Sequence, residues 1–185
     1  AEITTRLGWL LSPEVMSRSI TEINTFVDEI RAEGYTHALL LGMGGSSLAP
    51  EVFRFTFGVK KSYLDLAVLD STDPGALLSH ARRLDPEKTL FIVSTKSGGT
   101  VETFSFLKYF YNHALATLGA KKVGRHFIAI TDPGSGLATV ADELKFRHTF
   151  LNDPDIGGRY AALSYFGLVP AALIGVDLKA LIERA

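Results

Sequence analysis

Apolar residues in this chain gather into short, unbroken runs, and longer stretches of helical period separate them. The runs are residues 36–42 (THALLLG), 64–69 (LDLAVL), 89–94 (TLFIVS), 126–131 (HFIAIT) and 147–151 (RHTFL). Continuous apolar runs bounded by Gly, Pro, Ser and Asp predict strands covered on both faces, as in a parallel sheet. The first helix opens at Ser12-Pro13-Glu14, with Ser at the N-cap and Pro at the first helical position, and Gly34 closes it. Further helices are expected at 46–57, from the Asp73-Pro74 cap to about Leu84, at 100–118 with Gly119 just beyond, and at 135–144. An apolar helix over 160–174 ends at Gly175. Strand–helix alternation of this kind predicts an α/β fold, a doubly wound, five-stranded, mostly parallel sheet flanked by helices. Ligands of such folds bind beyond the carboxyl ends of the strands.

Length and composition narrow the picture. With 185 residues the chain is of single-domain size, so 1–185 is taken as one domain. It starts mid-pattern at Ala1 and stops at Arg184-Ala185 inside an apparent helix, so it reads as a domain cut from a longer polypeptide. A hydrophobic content of 46% with 21% charged residues excludes a disordered or fibrous chain. A net charge of −1 from 19 basic and 20 acidic residues argues against a broad footprint for nucleic acid or anionic membrane, and leaves room for a local basic pocket. No apolar run approaches a membrane span, and the N-terminus lacks the layout of a signal peptide. The absence of cysteine excludes disulfides and thiolate metal sites and fits a cytoplasmic protein.

Three loops carry the chemistry. After the first strand comes Gly42-Met43-Gly44-Gly45-Ser46-Ser47-Leu48-Ala49-Pro50. Its glycines allow close backbone approach, and the helix that follows offers N–H groups and the positive end of its dipole to an anion. A dinucleotide fingerprint is the alternative: Gly42 and Gly44 fit G-x-G-x-x-G, Ser47 stands where the third glycine belongs, and Asp70 is placed to hold a ribose. A plain structural turn is the third reading. After the third strand comes Ser94-Thr95-Lys96-Ser97-Gly98-Gly99-Thr100. Hydroxyls, glycine N–H groups and one ammonium make a dense donor set for a small anion, although the order is not that of a Walker loop. The alternative here is a Ser/Gly turn in which Thr100 merely caps a helix. The third feature is Asp155-Ile156-Gly157-Gly158-Arg159-Tyr160, where an arginine is placed either to stabilise an oxyanion or to pair with Asp153 or Asp155.

Taken together, the first loop, the run Thr95-Lys96-Ser97-Gly98-Gly99-Thr100-Val101-Glu102-Thr103 and Gly157-Gly158-Arg159-Tyr160 resemble phosphoglucose isomerase. More closely, the chain is similar to the isomerase portion of bacterial fused transaldolase/phosphoglucose isomerase proteins, and Leu163 to Ala172 continues the match after the arginine. The resemblance runs from about Leu7 to the C-terminus. It implies a sugar-isomerase fold with flavodoxin-like strand order and interconversion of glucose 6-phosphate and fructose 6-phosphate through an enediol. It implies no cofactor and no metal, and a possible homodimer in the full-length protein. Carried over to this sequence, Gly45 and Ser46 line the sugar-phosphate site, and Thr95, Lys96, Ser97, Gly98, Gly99 and Thr100 hold the phosphate. Gly158 and Arg159 approach the reacting carbons, and Arg159 is the catalytic residue that stabilises the enediolate. Ser47 replaces a common aspartate, and Gly99 stands where threonine is frequent, which removes one potential donor.

The family's base is a glutamate in a later subdomain, and no segment here matches it. Glu102 suits the start of a helix, and the five histidines, His37, His80, His113, His126 and His148, match no family motif. The chain alone is therefore expected to bind sugar phosphate weakly and turn it over barely. A second reading, from a different class, is a non-catalytic domain that senses phosphosugars and regulates a partner. The apolar helix over 160–174 needs cover, which either self-association or the absent half is expected to supply.

Overall fold

The structure is a computed structural model and describes residues 6–185. Five strands, β1 (His37–Gly42), β2 (Asp65–Leu69), β3 (Thr89–Ser94), β4 (Phe127–Thr131) and β5 (His148–Leu151), form one sheet in the order β2-β1-β3-β4-β5. Every pairing is parallel. Each strand falls within one residue of the apolar run that predicts it, and the order is the flavodoxin-like one expected.

Alternation along the strands sorts side chains to two cores. Ala38, Leu40, Leu90, Ile92, Ile128 and Ile130 face one side, and Leu39, Leu41, Phe91, Val93, Phe127 and Ala129 face the other. The helices α1 (Ser12–Ser17), α2 (Ile20–Ala32), α3 (Gly45–Phe57), α7 (Tyr165–Leu173) and α8 (Leu178–Glu183) cover the first face. On the second face lie α4 (Pro74–Arg83), α5 (Val101–Leu118) and α6 (Gly136–Glu143). The resulting three-layer sandwich is doubly wound, because crossovers from a parallel strand must pass over one face or the other.

Three expectations are corrected. Ser12 is not an N-cap: a 3-10 turn over Gly8–Leu11 leads straight into α1, so Ser12 already lies inside the helix. The expected first helix is two helices, divided at Arg18 and Ser19, and Ser19 accepts a hydrogen bond from the Tyr165 hydroxyl at 3.0 Å. The expected helix over 160–174 is a 3-10 helix, Gly158–Leu163, followed by α7, with Ser164 capping α7. Its cover comes from within the chain. Phe166 to Leu173 are all buried, with α2 and α3 packed against them, so this helix calls for no second chain.

Candidate functional site

Register pairs Gly42 with Ser94, so the two donor loops leave the sheet side by side. They then diverge. From β1 the chain steps to β2 on one side, and β3 lies on the other, so α3 and α5 pass to opposite faces. A crevice opens at such a switch point for topological reasons alone. Here it is a cavity of about 590 Å³.

Of the residues expected from the sequence, Gly45, Ser46, Thr95, Lys96, Ser97, Thr100 and Gly158 lie in its walls. The backbone explains why the loops carry donors rather than caps. Among the five helices that follow strands, α4, α6 and α7 are closed by Asp73, Ser135 and Ser164, each accepting a backbone N–H of the first turn. No side chain caps α3 or α5, and these two open on the cavity. At α3 the Ser46 and Ser47 N–H groups turn back onto the Met43 and Gly44 carbonyls, at 3.2 and 3.0 Å, so the start of α5 is the more open of the two to a small anion. Thr100 does not cap α5; its hydroxyl shares a hydrogen bond with the buried Thr95 hydroxyl at 3.0 Å.

Gly45 has no room for a side chain. A Cβ there would lie 2.2 Å from the Gly158 carbonyl oxygen, so the first loop and the glycine-arginine loop meet backbone to backbone. Gly98 is buried with φ of +63° and lies outside the cavity walls; a Cβ there would lie 2.7 Å from the Leu137 nitrogen, so a glycine lets the second loop pass the start of α6. Gly99 is exposed and also outside the cavity walls, and its N–H donates to the Ser97 hydroxyl at 3.3 Å.

Lys96 is in the wall, but internal partners hold its ammonium. It forms an ion pair with Asp132 and donates to the Pro154 carbonyl at 2.8 Å. Burial pushes the Asp132 carboxyl above the ordinary value of 3.8, with Lys96 pulling the other way and Asp153 adding to the rise. Arg159 is exposed on the 3-10 helix, one residue past Gly158, and outside the cavity walls. Among the described residues it pairs with neither Asp153 nor Asp155; Asp153 instead accepts the Asp155 N–H at 2.8 Å.

Arg6, Asp132 and Pro154 also line the cavity and were not singled out from the sequence; Asp155, named there as the start of the glycine-arginine loop and a partner for Arg159, lines it too. Asp132 follows β4 directly, so its place at a strand's carboxyl end was a usable signal. Arg6 had none: it arrives because Leu7 bridges Ile156 and the Gly8 N–H donates to the Asp155 carbonyl at 3.2 Å. Trp9 stacked on Tyr160 at 5.1 Å fixes the same junction. Asp70 is exposed and outside the cavity walls. Among the described residues no three His, Cys, Asp or Glu side chains gather at metal-binding distance, and no helix is long and apolar enough to cross a membrane.

A doubly wound sheet whose switch-point crevice is walled by hydroxyls and two uncapped helix starts defines an α/β domain with a donor-lined cavity. A family model for phosphoglucose isomerase matches residues 13–185, and the chain belongs to that family. A glucose-6-phosphate isomerase of Thermus thermophilus is 35% identical over 187 residues, covering 97% of this chain and 42% of that protein. The enzyme of the same name from Carboxydothermus hydrogenoformans is 34% identical, covering 97% of this chain and 40% of that protein. Among solved structures, a hypothetical protein from Thermus thermophilus superposes with a TM-score of 0.88 at 33% identity, over 97% of this chain and 42% of the other. A glucose-6-phosphate isomerase from Chlamydia trachomatis gives 0.78 at 25% identity, over 90% and 31%. The chain thus spans less than half the length of these relatives.

Proposed function

We propose that this chain is the sugar-phosphate-binding part of a glucose-6-phosphate isomerase. The observation that carries the proposal is the pair of uncapped helix starts, α3 and α5, opening on a cavity walled by Ser46, Thr95, Ser97 and Thr100. Hydroxyls and first-turn N–H groups together satisfy the several acceptor oxygens of a phosphate. The sugar then extends toward Gly158 and Arg159. The Arg159 guanidinium has no carboxylate partner among the described residues, which suits a group meant for the oxyanion of an enediolate.

Isomerisation also needs a base to carry a proton between the two carbons. Asp132 is committed to Lys96, and the family glutamate has no counterpart in this chain. Binding without appreciable turnover is therefore the expected behaviour of residues 1–185 as a single domain of a longer protein. A cytoplasmic location accords with the lack of cysteine. Fusion to a transaldolase and a homodimeric state rest on the family resemblance alone, now that α7 is covered within the chain.

Titration calorimetry with glucose 6-phosphate, glucose and NAD tests the binding. Saturable glucose 6-phosphate binding, with none for glucose or NAD at similar concentrations, is expected; the opposite pattern defeats the assignment. Rapid interconversion of glucose 6-phosphate and fructose 6-phosphate by the 185-residue chain would show that its base lies within it. A complete parent protein that binds the ligand and never isomerises it would favour the sensor reading.

A further inference from the structure

Lys96 and Asp132 reach the cavity wall from the ends of neighbouring strands, and main-chain bonds already hold their loops together. The Lys96 carbonyl accepts the Asp132 N–H at 3.2 Å and the Thr131 hydroxyl at 3.4 Å, while the Thr95 N–H donates to the Ile130 carbonyl at 3.1 Å. The side-chain ion pair is not needed to place either loop. It is also incompletely satisfied: Asp132 Oδ1 is buried with no hydrogen-bond partner. Lys96 thus satisfies only part of this carboxylate.

The charges in the wall point the same way. Lys96 and Arg6 face Asp132 and Asp155, which cancels to zero, whereas a phosphate monoester brings up to two negative charges. A phosphate seated among Ser46, Thr95, Ser97 and Thr100 lies beside the ammonium that Asp132 holds, so two anions compete for one cation.

We propose that Asp132 sets the affinity and charge preference of this site: its carboxylate competes with the ligand's phosphate for Lys96, so that binding a dianion brings a proton onto Asp132. The inference rests on the phosphate-site reading above. A second anion nearby disfavours the charged form of a carboxylate, so Asp132 holds its proton more tightly with ligand bound. Reciprocity then requires affinity for the dianion to fall as pH rises through the range in which Asp132 ionises. Burial, which already raises this carboxyl, moves that range upward. The charged groups facing Asp132 are Lys96 from the β3–α5 loop, Asp153 and Asp155 from the segment after β5, and Arg6 from the N-terminal segment.

Sulfate is a suitable probe, because its double charge is constant across the mildly acid range. Titrated at fixed ionic strength, the wild-type chain is expected to lose about tenfold in sulfate affinity from acid to neutral pH, the change one coupled proton gives per pH unit. Asp132→Asn should bind sulfate and glucose 6-phosphate more tightly at neutral pH, by about 3- to 10-fold, and flatten the profile. Lys96→Met should weaken binding, and adding Asp132→Asn to it should recover nothing. A level wild-type profile, or an Asp132→Asn protein that binds more weakly at every pH, overturns the competition while the phosphate site stands. If neither protein binds sulfate or glucose 6-phosphate saturably, the phosphate site falls and the competition with it. The wild-type profile needs no variant, so a failure of Asp132→Asn to fold does not remove the test.

Discussion

Ser94, the last residue of β3, donates its hydroxyl to the Ser46 carbonyl in the first turn of α3 at 3.1 Å. That carbonyl is available because the residue four places on is Pro50, which has no N–H to complete the helix bond. A proline inside the helix thus leaves an acceptor for the neighbouring strand, and the bond staples the two donor loops together beside the cavity.

Ser94→Ala leaves a buried carbonyl unpaired and is expected to destabilise the chain by about 1–3 kcal/mol. Pro50→Ala restores an N–H at the right position. The double variant should therefore lose less than Ser94→Ala alone, measured by denaturant unfolding of the four proteins. Strictly additive changes would show that the two groups do not share the Ser46 carbonyl.

Gly45 and Gly158 meet, yet only one of them lacks room. Gly45→Ala places a methyl group 2.2 Å from a carbonyl oxygen, whereas a methyl group on Gly158 meets nothing within 4 Å. The first change should cost about 1–3 kcal/mol and displace the glycine-arginine loop, with loss of glucose 6-phosphate binding. Gly158→Ala should stay within about 0.5 kcal/mol of wild type. Equal thermal midpoints for the two variants would contradict the close approach.

The two glycines of the second donor loop are expected to diverge in the same manner. Gly98→Ala combines a positive φ with contacts of 2.7 Å and should destabilise the fold. At Gly99 a Cβ meets only the Ser97 hydroxyl, at 3.9 Å, so Gly99→Thr has space. It supplies a further donor and should tighten glucose 6-phosphate binding by about 2- to 10-fold, the worth of one net hydrogen bond. Unchanged affinity by calorimetry would place residue 99 beyond reach of the phosphate.

Two histidines govern stability in mild acid. Burial pushes both His126 and His80 below their ordinary value of 6.5, and the Thr89 carbonyl only partly offsets this at His126. Below that value the unfolded chain binds more protons than the folded one, so this contribution is whole above about pH 6.5 and is lost as pH falls through the depressed folded range. Asp132 runs the other way, because its raised carboxyl favours the folded state at low pH and that gain fades as pH rises. With two histidines set against one carboxyl, the thermal midpoint is expected to drop between about pH 7.5 and 5.5. His126→Asn should shrink the drop, at some loss of the ring's contact with Tyr35, 5.0 Å away. A midpoint that rises with acidification would refute the assignment.

The strands were legible because a strand covered on both faces must be apolar along its whole length, and β3 matches its run at both ends. The helix starts at Asp73 and Ser135 were legible for a local reason as well, since each cap bonds an N–H three residues away. The division at Ser19 was not, because its partner is Tyr165, 146 residues along the chain. Ser164 is intermediate: its side chain caps α7 locally, but the apolar residues around it mask the break.

The sequence by itself determined the order of the strands and helices, the two donor loops and the family to which they belong. Local bonding and the requirement to bury apolar faces are both written in residue type. What only the tertiary structure decided is where the charges go. Lys96 stands in the second donor loop of the sequence, yet the parallel pairing of β3 with β4 sets Asp132 beside it, and a bridge at Ile156 carries Arg6 into the cavity. Charges act through space, and in a parallel sheet neighbours in space are separated by whole crossovers in sequence.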